Sequence, residues 1–196
     1  MKFRIGKPPI NENINVLEWN LLKEPKSLTV TQVVALPIGL ICAGLIFLIL
    51  HYFKGINIPK FGVKYILAYF LMIPLHEMIH ALCYPGSLLS KDTVIGYWPD
   101  MSVFYAYNNC VLKRNRYLLV YIAPFAVLSI IPTIVMLFLD FKSDLLLLIV
   151  LFNALSSCVD IFNCILILLQ VPKEGLVVNS EEKTYWKLEN YLNART

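Results

Sequence analysis

Four apolar runs constrain this chain more than any other feature. Leu28–Phe53, Val63–Tyr84, Tyr117–Leu139 and Leu145–Leu169 each match the roughly 20 apolar residues that a helix needs to cross a bilayer. In hydrocarbon the backbone must satisfy its own hydrogen bonds, so such runs read as helices. Composition agrees. Hydrophobic residues make up 58% of the chain and charged residues 15%, against roughly 45–50% and 25% in soluble domains. The expected fold is an all-α polytopic membrane protein with four transmembrane helices, and its expected partner is the lipid bilayer. No basic stripe interleaved with aromatics is present, which argues against a nucleic-acid partner. Cys42, Cys83, Cys110, Cys158 and Cys164 are odd in number, and most fall in or beside apolar runs. They read as small hydrophobes rather than a disulfide framework.

This pattern divides the chain into a cytoplasmic or interfacial segment 1–27, a membrane domain 28–169 and a cytoplasmic tail 170–196. Segment 1–27 is mostly polar and shows no cleavable signal peptide. Within it, Ile10–Leu22 reads equally as an amphipathic surface helix or a loosely ordered tail. The connections are Lys54–Pro59, Pro85–Arg116 and Asp140–Asp144. With four crossings, the two termini and the long connection share one side. That side carries 13 of the 17 Lys and Arg residues, so it is expected to be cytoplasmic. In the long connection, Thr93–Trp98 and Ser102–Tyr107 flank Pro99-Asp100-Met101 and read as a β-hairpin. Its Tyr97, Trp98, Phe104, Tyr105 and Tyr107 suit a membrane interface. The hairpin is expected either to hold an extended substrate by strand pairing or to act as an aromatic anchor.

Chemistry enters at His76-Glu77-Met78-Ile79-His80, near the end of the second run. Residues four apart stack on one helix face, so both imidazoles can hold one metal ion. Glu77 between them can take a proton from water that the metal activates. A catalytic zinc site usually has three protein ligands. His51 belongs to the opposite end of the bundle. Asp160 is the preferred third ligand, being the only other acidic residue inside an apolar run. An isolated carboxylate there costs at least about 2.5–3.5 kcal/mol, so a partner is expected. At roughly 1.5 Å of rise per residue its depth falls within about a turn of the histidines. Cys83 and Cys158 remain alternative ligands.

Asn153, Ser157 and Asp160 follow i, i+4, i+7 spacing and form one polar stripe, facing either a wet cavity or a neighbouring helix. Pro74 leaves the Phe70 carbonyl without its donor, so a kink is expected just before the site.

The HEMIH pentapeptide, the run Asn153–Asp160 and Val171–Trp186 resemble a group of small bacterial membrane proteins, the Putative zincin peptidase family, otherwise of unknown function. The resemblance covers about Ile66 to Trp186. More distantly the layout is similar to site-2 proteases, which pair HExxH on one helix with an aspartate on a later one. That likeness implies His76, His80 and Asp160 as Zn2+ ligands and Glu77 as general base. It implies contact with substrate or intermediate at Asn153, and Ser157 shares that stripe. Cys158-Val159-Asp160-Ile161 departs from the usual Leu-Asp-Gly of those enzymes. The expected function is a zinc-dependent intramembrane endopeptidase of the bacterial cell membrane, acting on transmembrane or membrane-proximal peptides. The alternative is a non-proteolytic membrane protein with a structural or sensory zinc site.

Overall fold

The computed structural model describes residues 1–60, 62–87, 90–139 and 141–189; the end of the expected C-terminal tail lies outside them. Helix α1 (Leu28–Lys54) starts where the Ser27 hydroxyl accepts from Val30 N–H and stops at Gly55, a left-handed residue with φ 60°. Glycine takes that conformation without the Cβ penalty, which ends the helix cleanly. Helix α2 (Val63–Cys83) runs unbroken through Pro74. The third apolar run forms α3 (Arg114–Phe125), a π-helical turn (Ala126–Ile130) and α4 (Ile131–Phe138).

The fourth run corrects the expectation of four whole spans. It breaks into α5 (Asp144–Ser156) and α6 (Cys158–Gln170), bent by 43°. Ser157 sits at the break with φ −72° and ψ 5°. Paired serines bend helices because their hydroxyls compete for backbone groups. Three helices, Leu28–Lys54, Val63–Cys83 and Arg114–Phe138, are therefore long and apolar enough to cross a membrane, or four if the bent pair counts as one. Only 22–28% of the apolar window of each is buried in the protein. Leu40, Leu48, Phe70 and Leu71 point outward with more than half their surface exposed. Such faces suit lipid rather than water.

The chain is not all-α either: helix makes up 57% and strand 17%, with seven strands in two sheets among the described residues. The hairpin of the long connection is β3 (Thr93–Trp98) with β4 (Val103–Asn108), paired antiparallel from Thr93↔Asn108 to Trp98↔Val103. The N-terminal segment adds β1 (Lys2–Ile5), parallel to β3. A second sheet has the order β2 (Asn20–Leu21), β7 (Lys183–Leu188), β6 (Gly175–Ser180), β5 (Leu112–Lys113). Both polar segments therefore contribute strands, and Ile10–Leu22 holds a short 3-10 turn and β2 instead of an amphipathic helix. Buried Asn11 ties the segment down, donating through Nδ2 to the carbonyls of Asn109 and Asn179. The sheets lie at the end of the bundle where α1 and α3 begin and α2 and α6 finish.

Two apolar clusters hold the bundle. Leu22, Tyr84, Leu112, Tyr117, Ile167 and Val177 join the helix ends to the second sheet. Ile46, Leu50, Met136, Leu147 and Val150 join α1, α4 and α5 near the other end. Between the clusters Gly39 lets α1 approach the α5–α6 break, where a Cβ would meet Leu155 O at 2.7 Å. Small residues at a membrane helix crossing allow this closeness.

Candidate metal centre

His76 and His80 stand one turn apart on α2, buried at 6% and 7% exposure. Asp160 approaches from the first turn of α6. The break at Ser157 creates that helix start, and the positive end of the helix dipole favours a carboxylate there. His76 Nε2 lies 3.1 Å from Asp160 Oδ2, His80 Nε2 lies 3.4 Å from Asp160 Oδ1, and the two Nε2 atoms are 3.2 Å apart.

The other nitrogen of each ring is committed. His80 Nδ1 donates to Val120 O at 2.7 Å. In a regular helix the residue at 124 would donate to that carbonyl, but Pro124 has no N–H. His76 Nδ1 donates to Asn153 Oδ1 at 2.9 Å. The Asn153 amide is oriented by its own bonds, since Nδ2 donates to Pro124 O at 3.1 Å and Ser129 Oγ at 2.8 Å. Ser129 lies in the π-helical turn and donates to Val150 O at 2.9 Å. Such turns recur at functional sites. With both Nδ1 atoms donating, each neutral ring turns an Nε2 lone pair toward the Asp160 carboxylate.

The site thus gathers acceptors with no donor among them, which suits a cation. Ligands on a tetrahedral zinc at about 2.0–2.1 Å stand roughly 3.3 Å from one another. The two Nε2 atoms, 3.2 Å apart, match that spacing, and each lies within 3.4 Å of one of the two Asp160 carboxylate oxygens. Two imidazoles and a carboxylate are a donor set that zinc accepts, and the partners of Nδ1 fix the rings as second partners of metal ligands do. Among the described residues these three form the group of His, Cys, Asp and Glu able to share an ion.

Glu77 follows His76 and borders the same cavity, of about 280 Å³. The backbone N–H of Ala106 in β4 is directed at its carboxylate. Because β4 ends its sheet, this places the unpaired side of the strand toward the cavity. Tyr107 also lines the cavity; its hydroxyl donates to Asn179 O at 3.2 Å, and burial pushes its pKa up to about 12, so it stays neutral at physiological pH. Toward the second sheet, Glu24 borders an adjoining cavity. Burial raises its carboxyl above the usual range, opposed by the Thr184 N–H and by Lys183.

The candidate residues are therefore not placed alike. His76, Glu77, His80 and Asp160 border the cavity. Asn153 is fully buried behind His76 and orients it, away from the space a substrate would occupy. Ser157 is fully buried at the helix break, its hydroxyl without a partner among the described residues. Cys83 and Cys158 stand outside the cluster. His51 Nδ1 donates to Ile56 O at 2.9 Å, closing the loop after α1.

Sequence reasoning missed Val120, Ser129 and Ala106, which act through backbone carbonyl, hydroxyl and amide. Pro124 was the available signal for Val120, since a proline frees the carbonyl four residues before it.

A family model described as Putative zincin peptidase matches residues 69–176, more than half the chain. No curated protein and no solved structure matches. The matched segment contains HEMIH, the hairpin, the π-helical turn and Asp160. The chain belongs to this zincin peptidase family, whose membership implies zinc and a metallopeptidase.

Proposed function

We propose that the protein is a zinc-dependent intramembrane endopeptidase that hydrolyses peptide bonds of membrane-embedded or membrane-proximal segments. One observation carries the reading. Glu77 and the three convergent ligand atoms border one cavity, at the ends of helices whose outer faces suit lipid. His76, His80 and Asp160 would hold the metal, and a set of three protein ligands is typical of catalytic rather than structural zinc. When bound, zinc supplies Lewis-acid polarisation of the scissile carbonyl and greater acidity for water. Glu77 takes the proton of the attacking water and delivers it to the leaving amine. Asn153 and Val120 keep the imidazoles in register throughout.

A helical segment hides its carbonyls in intrahelical bonds, so it must unwind before attack. The free side of β4 offers backbone groups to an unwound strand beside Glu77, a known mode of peptide capture. The charge bias makes the sheet-bearing end cytoplasmic, with both termini there, in a multi-pass protein of the bacterial cell membrane.

The test is Glu77→Gln in purified protein, reconstituted in vesicles with a single-span reporter. Cleavage is expected to fall by 10²–10⁴-fold, the usual contribution of a general base, while bound zinc is retained. Undiminished cleavage would remove Glu77 from the mechanism.

A further inference from the structure

An extended peptide has two hydrogen-bonding edges, and β4 can satisfy only one. Inside a membrane protein the other edge cannot be left bare, because unpaired backbone groups are costly there. Part of the remaining cavity wall comes from α1, α5 and α6, beside α3 and the β6–β7 turn, and it carries side chains that the chemistry above does not use. Gln32 is the one carboxamide of α1, one turn into a helix otherwise suited to lipid. It lines the cavity and has no hydrogen-bond partner among the described residues. Asn163 on α6 also lines the cavity, one turn beyond Val159, and likewise has no such partner.

Gln32 and Asn163 are half-buried, and polar groups within an apolar helix are normally paired, so two unengaged carboxamides on one cavity wall suit an occupant. A carboxamide both donates and accepts, as a peptide unit does. The hairpin and α1 meet at this cavity: Thr29 Oγ1 lies 3.6 Å from Met101 Sδ at the hairpin tip. A strand held along β4 would therefore lie within the enclosure that α1 helps to form.

We propose that Gln32 and Asn163 are positioning residues that bind the outer edge of the substrate peptide, the edge β4 leaves free. This rests on the peptidase reading and adds the second half of the peptide-binding cleft. The ligand class is the backbone of an extended peptide, with little dependence on its side chains.

Two hydroxamates separate this proposal from the reading beneath it. Acetohydroxamate can engage only the metal, whereas a Leu-Ala dipeptidyl hydroxamate adds a peptide backbone. Affinities for the zinc-loaded full chain in detergent would be measured by calorimetry. Gln32→Met and Asn163→Leu are each expected to weaken the dipeptidyl compound by up to roughly tenfold, as loss of one hydrogen bond does. Acetohydroxamate should bind both variants like the parent protein, which also reports that they fold. Unchanged dipeptidyl affinity in either variant that keeps acetohydroxamate binding would overturn the assignment of that residue. An equal loss for both hydroxamates would overturn it too, by assigning the effect to the metal centre. Absence of binding by either compound to the parent protein would instead overturn the zinc reading itself.

Discussion

At the residue scale, the candidate metal centre rests on supporting groups that act as much through backbone as through side chains. HEMIH and Asp160 were legible because metal-ligand spacing and an acidic residue in an apolar run are both rare for physical reasons. The support around them was not. Val120 contributes a carbonyl, available to His80 because residue 124 is proline. Asn153 was legible as a polar residue of the right stripe, but spacing alone could not distinguish a residue facing substrate from one behind a ligand. Its bonds to His76, Pro124 and Ser129 make that distinction. Asn153→Ala is expected to lower zinc affinity 10–100-fold, the usual effect of removing such a partner. Pro124→Ala should lower it in the same direction, because the backbone N–H gained at that position would compete with His80 for the Val120 carbonyl. Competition with a chelator of known affinity measures both, and unchanged affinity in both variants would mean that the rings need no outer support.

At the element scale, hydropathy located the helical runs within a few residues but could not show that the fourth is broken. A window of mean hydropathy passes over Ser156-Ser157, whereas the backbone does not. That break sets the position of Asp160, making it a first-turn residue of α6 directed at the histidines. The strands at the two ends were obscured for other reasons. Lys2–Ile5 is short and its partner Thr93–Trp98 is distant in sequence, whereas Gly175–Ser180 and Lys183–Leu188 form a local hairpin whose turn, Glu181-Glu182, lacks the glycine or asparagine that marks such turns although Glu181 takes φ 51°. The hairpin Thr93–Trp98 with Val103–Asn108 was legible because both its strands and its turn are local. Gly39 makes the break testable. Gly39→Leu drives a side chain into Leu155 O and Cys158 Cβ, so α1 must move off α5 and α6. Overpacking of this kind costs about 1–3 kcal/mol or more, and a lower thermal midpoint in detergent is the expected result. An unshifted midpoint would mean that α1 does not pack as tightly there as its glycine implies.

At the scale of the whole molecule, lipid-suited helices carry a polar, sheet-covered end, and the candidate site lies where the two meet. That placement reconciles hydrolysis with a membrane. Polar and charged side chains line the cavity at the sheet-bearing end, while α1 and α2 present apolar faces beside it. The peptidase reading depends above all on which atoms hold zinc. X-ray absorption on the zinc-loaded full-length protein reads them directly. The predicted result is a shell of nitrogen and oxygen neighbours at about 2.0–2.2 Å, with imidazole scattering from two histidines and no sulfur, and a weaker imidazole signal per zinc in His76→Ala. A sulfur shell at about 2.3 Å, which would bring Cys83 or Cys158 to the metal, would contradict it.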